Sequence, residues 1–236
     1  MLTFRNLSVA RGKTQLLDGV SGSIQESKIT GLVAPNGSGK TTLMQVLIGS
    51  ADIAAAGRIE ADGVPVWDEK RYRKLVFYVP GDASYLYALL TVRENLCMAK
   101  ACWNARYDID ALARRCGIDG FMNKRVRALS LGMKQQVALA VGYMTGAKYL
   151  LLDEPMNALD PSNLLLNSKI LRSLRKGGRG MLMSSHILGN IDDLCDDVLF
   201  IKDGALEHVD AARGAASSME TYQRLFVTGG DVRRRG

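Results

Sequence analysis

From residue 29 the chain runs Ile29-Thr30-Gly31-Leu32-Val33-Ala34-Pro35-Asn36-Gly37-Ser38-Gly39-Lys40-Thr41-Thr42. The apolar run Ile29–Val33 has the length of a buried strand. The segment after the loop carries Leu43, Val46 and Leu47 at helical spacing. A strand, a glycine-rich loop ending in Lys-Thr, and a helix are together the context that a phosphate-binding loop requires. Gly37 and Gly39 allow the backbone to turn its N–H groups toward a phosphate chain, and the N-terminus of the following helix adds its dipole. Lys40 is placed to reach β- and γ-phosphates, and Thr41 to offer its hydroxyl to Mg²⁺. Asn36, Ser38 and Thr42 complete the candidate nucleotide-binding set. The usual first glycine of such a loop is Ala34 here. Because alanine disfavours positive φ, the first turn is expected to differ slightly.

A second apolar run, Tyr149-Leu150-Leu151-Leu152, ends in Asp153-Glu154-Pro155. Both acids then fall at the C-terminal edge of a buried strand, where open α/β sheets bind ligands. Asp153 is the candidate to hold Mg²⁺, directly or through water. Glu154 is suited to orient or deprotonate an attacking water. A third run, Met181-Leu182-Met183-Ser184, leads into Ser185-His186. His186 lies just past a strand, as Glu154 does, and is read with it as catalytic.

Further short apolar runs occur at Leu75–Val79 and Val198–Ile201, and helical stretches separate most of the runs. That alternation is the signature of an α/β fold with a mostly parallel sheet. The N-terminal third is β-rich. Leu2–Leu7 roughly alternates, Arg11-Gly12-Lys13 reads as a turn, and Asp62-Gly63 closes a hairpin between Arg58–Ala61 and Val64–Val66. From about Tyr85 to Cys116 strand runs are lacking and helix formers dominate, which points to a helical insertion.

The chain has 236 residues, 47% of them hydrophobic and 23% charged, an ordinary globular balance. No run approaches the roughly 18 apolar residues of a membrane helix. The N-terminus shows no signal-peptide pattern, so a soluble, cytoplasmic protein is expected. The net charge is +7, with basic clusters at 70–74, 124–127 and 233–235. Aromatics do not interleave with them as a single-strand stacking platform would need, and no nucleic-acid partner is expected. The four cysteines form no C-x-x-C pair and there are two histidines, so a zinc site is not expected. The cysteines are read as reduced thiols in packing positions.

Together the three motifs resemble the nucleotide-binding subunit of an ATP-binding cassette (ABC) transporter, over about residues 2–210. Leu129-Ser130-Leu131-Gly132-Met133 stands where that family has its LSGGQ signature, Asn157-Ala158-Leu159-Asp160 where it has the D-loop, and Thr91–Leu96 where its helical subdomain starts. Ser-Leu-Gly-Met-Lys-Gln is similar to the variant in bacitracin- and lantibiotic-resistance exporters. The resemblance implies a P-loop NTPase core with an N-terminal antiparallel β-subdomain and a helical subdomain inserted at about 82–145. These form a single domain over 1–225, with 226–236 a basic, disordered tail. It also implies ATP and Mg²⁺ as cofactors and hydrolysis in trans. Two copies would sandwich two ATP molecules, each site taking Lys40, Thr41 and Asp153 from one copy and Ser130 and Gly132 from the other. Asp160 would lie along the interface and help align Glu154, while His186 would contact the γ-phosphate and the attacking water.

Three departures accompany the resemblance. Arg11 stands where the family has an aromatic that stacks on adenine, and a guanidinium can also stack on a base. Gly81 stands where a glutamine links metal to transporter, with Asp82 beside it as a substitute of different charge and reach. In the signature, Leu131, Met133 and Gln136 replace glycine, glutamine and arginine. The resemblance implies an ATPase on the inner face of a cell membrane. Its partners would be separate transmembrane permease subunits, and a second ABC subunit in a homodimer rather than a heterodimer. An ABC ATPase that serves no transport, and a nucleotide sensor with impaired hydrolysis, are the alternatives.

Overall fold

A computed structural model of the chain describes residues 1–12, 14–50, 53–210 and 217–227. β1 (Leu2–Arg11) and β2 (Thr14–Ile24) form an antiparallel hairpin. Lys13, in the turn expected between them, lies outside the described residues. β1 buries Leu2 and Phe4, then Leu7 and Val9. The change of step occurs at a bulge around Asn6, which has φ 48°. One extra residue there returns the apolar side chains to the core face.

β3 (Ile29–Val33) leads through the glycine-rich loop into α1 (Lys40–Leu47). β4 (Ala54–Ala61) pairs with β1 and with the short β5 (Val64–Pro65). Asp62 and Gly63, at φ 49° and 76°, make the expected tight turn. α2 (Glu69–Tyr72) precedes β6 (Val76–Val79). The helical stretch then runs through α3 (Val92–Trp103), α4 (Ile109–Arg115) and α5 (Leu131–Thr145). α3 begins in a capping box, in which Thr91 and Glu94 satisfy each other's backbone N–H groups.

β7 (Tyr149–Leu152), α6 (Pro161–Lys176), β8 (Gly180–Ser184), α7 (Leu188–Leu194), β9 (Asp197–Lys202), β10 (Ala205–Asp210) and α8 (Ser218–Tyr222) complete the described chain. A π-helical turn, Gln223–Val227, follows α8. The tail read as disordered from 226 thus begins with two ordered residues, and 228–236 lie outside the described residues.

Two sheets result. One is antiparallel, in the order β2-β1-β4-β5; the other runs β10-β9-β3-β8-β7-β6, parallel except for the edge strand β10. The second is covered on both faces, which is why its strands read as continuous apolar runs. Leu32, Leu151, Leu182 and Leu199 pack with α1 and the antiparallel sheet. Val33, Leu150, Leu152, Met181 and Met183 pack on the other side with residues of α3, α4, α5 and α6.

α5 is buried on every side from Gln135 to Thr145. It lies inside the structure, with β6, α3 and α4 packed around it. One expectation is corrected: of the four cysteines only Cys116 and Cys195 are buried, whereas Cys97 and Cys102 are exposed on α3.

Candidate functional site

The strand order brings β3, β8 and β7 side by side and parallel. The loops after them therefore meet at one sheet edge, and each carries one of the motifs. Gly37 and Gly39 take φ 80° and 94°, the left-handed backbone that makes this loop a site for glycine. Ala34 is not among the residues with positive φ. Its methyl is buried, and the alteration of the first turn expected from Ala34 has no backbone cause here. Gly39 caps α1 without a side chain, leaving the first-turn N–H groups of the helix without intrahelical acceptors. Asn36 is exposed beside Gly37, Ser38 N–H donates to the Pro35 carbonyl at 3.3 Å, and Thr42 is buried at the start of α1.

Lys40 is 8% exposed, and its Nζ donates to the carbonyls of Ala34 at 2.8 Å and Pro35 at 3.3 Å. Burial lowers its pKa, and the charges of Glu154 and Asp153 partly restore it. The ammonium is thus held in the middle of the loop with two carboxylates near it.

Asp153 is buried, and its oxygens are all occupied. Oδ1 accepts from Ser184 Oγ at 2.6 Å, while Oδ2 accepts from Thr41 Oγ1 at 2.6 Å and from the Tyr78 hydroxyl at 3.1 Å. Ser184 Oγ in turn accepts the Glu154 N–H at 2.8 Å, so one hydroxyl ties both acids to the end of β8. Burial and the neighbouring Asp153 charge raise the Tyr78 pKa far above its ordinary value, which keeps that hydroxyl a donor. Neither Tyr78 nor Ser184 was singled out by sequence. A tyrosine next to last in β6 becomes informative only once β6 is known to pair with β7.

Thr41 and Asp153 supply hard oxygen donors within one hydrogen bond of each other. No group of three or more His, Cys, Asp or Glu that could hold a metal occurs among the described residues. Two protein oxygens, with the rest of the shell left to phosphate and water, is a donor set that fits Mg²⁺.

Glu154 sits at φ 47°, a left-handed conformation unusual for a side-chain-bearing residue and often found at functional sites. Its Oε2 accepts the His186 backbone N–H at 3.2 Å and lies 2.8 Å from His186 Nδ1. With the proton on Nδ1 the imidazole donates to the carboxylate, leaving Nε2 as the ring's acceptor. The two candidate catalytic residues are in direct contact.

The remaining candidates lie apart. Ser130 Oγ accepts Met133 N–H at 3.3 Å and caps α5. Gly132 follows in the first turn, beside the exposed Leu131. Asp160 caps α6 through the Asn163 N–H at 2.9 Å and also accepts from Asn163 Nδ2 at 2.6 Å, contacts that hold its pKa down. No hydrogen bond among the described residues joins Ser130 or Asp160 to Lys40, Asp153 or Glu154. Arg11 is exposed at the end of β1, where its backbone pairs with Thr14. Its hairpin nevertheless reaches the glycine-rich loop, since a Cβ at Gly39 would lie 3.4 Å from Leu16 Cβ.

The loop after β6 passes against Asp153. A Cβ at Gly81 would lie 2.8 Å from the Asp153 carbonyl oxygen, so the backbone approach is open only to glycine. Asp82, next to it, accepts the Ser84 N–H through Oδ1 at 2.9 Å, which lowers its pKa. A groove of about 1720 Å³ opens from here, lined among others by Lys70, Arg73 and Lys74 and by Tyr85, Trp103 and Tyr107.

Residues 17–157 match the family model described as ABC transporter. The lantibiotic transport ATP-binding protein SrtF of Streptococcus pyogenes is 31% identical over 207 residues, 87% of this chain and 89% of that protein. The Nod factor export ATP-binding protein I of Burkholderia orbicola is 32% identical over 86% of this chain and 68% of that protein. A solved structure described as the ATP-binding subunit of an ABC transporter superposes with a TM-score of 0.86 at 24% identity, covering 95% of this chain and 99% of that one.

Proposed function

This chain belongs to the ABC transporter family and is an ATPase of it, and we propose that it drives export as the nucleotide-binding subunit of a bacterial transporter whose membrane-spanning subunits are separate polypeptides. The observation that carries the reading is the meeting of Thr41 with Asp153 at 2.6 Å and of Glu154 with His186 at 2.8 Å, on adjacent loops of one sheet edge. The two relatives named for lantibiotic transport and Nod factor export support the outward direction. No helix among the described residues is long and apolar enough to cross a membrane.

In this reading the phosphates of ATP lie on the N–H groups of residues 36–42, and Lys40 leaves the Ala34 and Pro35 carbonyls for the β- and γ-phosphate oxygens. Thr41 and Asp153 hold Mg²⁺, which when bound neutralises charge developing on the phosphates. Glu154 takes a proton from the attacking water, and His186, bonded to Glu154 through Nδ1, contacts that water at its acceptor Nε2 beside the γ-phosphate. Arg11 stacks on the adenine.

Ser130 and Gly132 serve the site of a second copy, with Ser130 and the N-terminus of α5 directed at its γ-phosphate. Asp160 lies along that interface. The groove beside Gly81 receives a segment of the membrane subunit, and domain bounds of 1–225 with an insertion at about 82–145 fit this division of labour. The pair is a homodimer, because Lys40 and Ser130, one residue from each half of a composite site, occur in the same chain. Such a subunit works at the inner face of the cell membrane.

The test is to hold the Glu154→Gln variant with Mg²⁺-ATP in solubilised native membranes and isolate what it carries. A dimer with a multi-span membrane protein, lost with Lys40→Ala, is expected. Soluble partners alone would favour a non-transport ATPase. If Glu154→Gln changes neither ATP retention nor dimer lifetime, the chain is a nucleotide sensor.

A further inference from the structure

Tyr78 belongs to none of the motifs, yet its hydroxyl is 3.1 Å from Asp153 Oδ2. The contact is fixed by strand register. Tyr78 pairs with Leu151 and Val79 with Leu152, and Asp153 N–H donates to the Val79 carbonyl at 2.9 Å. The tyrosine therefore stands beside the carboxylate because β6 and β7 are parallel neighbours, whatever the loops do. A carboxylate left to itself turns freely about its last torsion, which is broad for aspartate. Here Ser184 holds one oxygen at 2.6 Å and Tyr78 holds the other. Thr41 also touches Oδ2, but its own oxygen is the one offered to the metal.

A side chain at position 81 has no room, with the Asp153 carbonyl 2.8 Å from where its Cβ would be, and Asp82 is committed to Ser84. We propose that Tyr78 is a positioning residue for the metal: by donating to Oδ2 it orients the Asp153 carboxylate for Mg²⁺, and so sets how strongly nucleotide binding depends on that ion. This rests on Asp153 being the metal-holding residue.

The test is equilibrium binding of a fluorescent ATP analogue to the full chain carrying Glu154→Gln, so that none is consumed, titrated with Mg²⁺ and compared with EDTA. Tyr78→Phe keeps the ring and removes the hydroxyl. It is expected to leave affinity in EDTA unchanged and to raise the half-saturating Mg²⁺ concentration about tenfold, the low end of the effect of losing an outer-shell partner. Mn²⁺ followed by paramagnetic resonance in the same samples should show the same shift. A purely structural role would instead lower affinity equally with and without the ion, and that result, or a half-saturation unchanged within about twofold, overturns the proposal. Asp153→Asn is the control and should remove the ion dependence altogether. If it does not, the reading of the metal site fails and the role of Tyr78 falls with it. Where Tyr78→Phe melts far below the parent, Ser184→Ala, which frees the other oxygen, is read in its place. An unchanged ion dependence there likewise counts against orientation of the carboxylate.

Discussion

Gly132, in the first turn of α5, and Ala158, in the loop after β7, meet backbone to backbone: a Cβ added at 132 would lie 2.5 Å from the Ala158 carbonyl oxygen. Ala158 itself is left-handed, at φ 60°. Gln135, one turn further along α5, donates to the Pro155 carbonyl at 3.2 Å. The proposed surface for the second copy is thus built from two segments already locked together within one chain.

Gly132→Ala is expected to cost about 1–3 kcal/mol, the usual price of overpacking a tight contact. That lowers the melting temperature by several degrees for a chain of this size. ATP-driven dimerisation should fall with it. Leu131→Ala, at a 62% exposed side chain, should leave the melting temperature within about a degree. Thermal melts and light scattering with Mg²⁺-ATP read both.

Asp62 joins the two sheets. It accepts from Lys148 Nζ at 2.6 Å and Tyr149 OH at 2.7 Å, and also from the Met1 amino group. Burial alone would raise its pKa, but these donors outweigh it and bring the value from 3.8 down to about 2. The folded form therefore holds its proton less tightly than the unfolded chain. Asp62 stabilises the fold in full above about pH 4, and this contribution disappears as the pH falls toward 2. Asp62→Asn should lower the urea midpoint at pH 7 and flatten its dependence on pH between about 4 and 2.

Arg11→Ala should weaken ATP binding two- to fivefold, the worth of about 0.5–1 kcal/mol for a cation over a ring at an exposed site. The loss should be seen with ATP and not with inorganic triphosphate. Titration calorimetry with both ligands checks it.

The cationic residues lining the groove are expected to meet an acidic segment of the membrane subunit. Arg73 is engaged with Glu69 at 3.1 Å, whereas Lys70 and Lys74 have no ion-pair partner among the described residues. Lys70→Glu with Lys74→Glu should abolish co-isolation of the membrane subunit and leave the ATPase rate of the isolated chain within about twofold. Raising salt should weaken the parent complex in the same direction.

The parallel strands could be read from sequence because both faces of their sheet are covered, so each is a short apolar run. β2 escaped notice. Its residues Thr14–Ile24 carry Asp18, Gly19, Gly22 and two serines, which locally look like a turn, and much of the strand is exposed. β10 is a polar edge strand, held by pairing with β9 rather than by an apolar face of its own. In the site, Lys40, Thr41, Asp153, Glu154 and His186 were legible because each stands just past a strand or opens a helix. Tyr78 and Ser184 were not, because their roles exist only across neighbouring strands.

One hydrophobic cluster runs from Val92 and Leu96 of α3 through Val137, Leu139 and Tyr143 of α5 to Leu150 and Met181 of the parallel sheet. The helical stretch therefore has no interior of its own. Grafting residues 92–128 from a relative would confront α5 with foreign side chains, whereas a graft carried through Thr145 would move the whole helix and place the seam against the strands. Chimaeras meant to redirect this subunit to another permease should be cut at the second boundary.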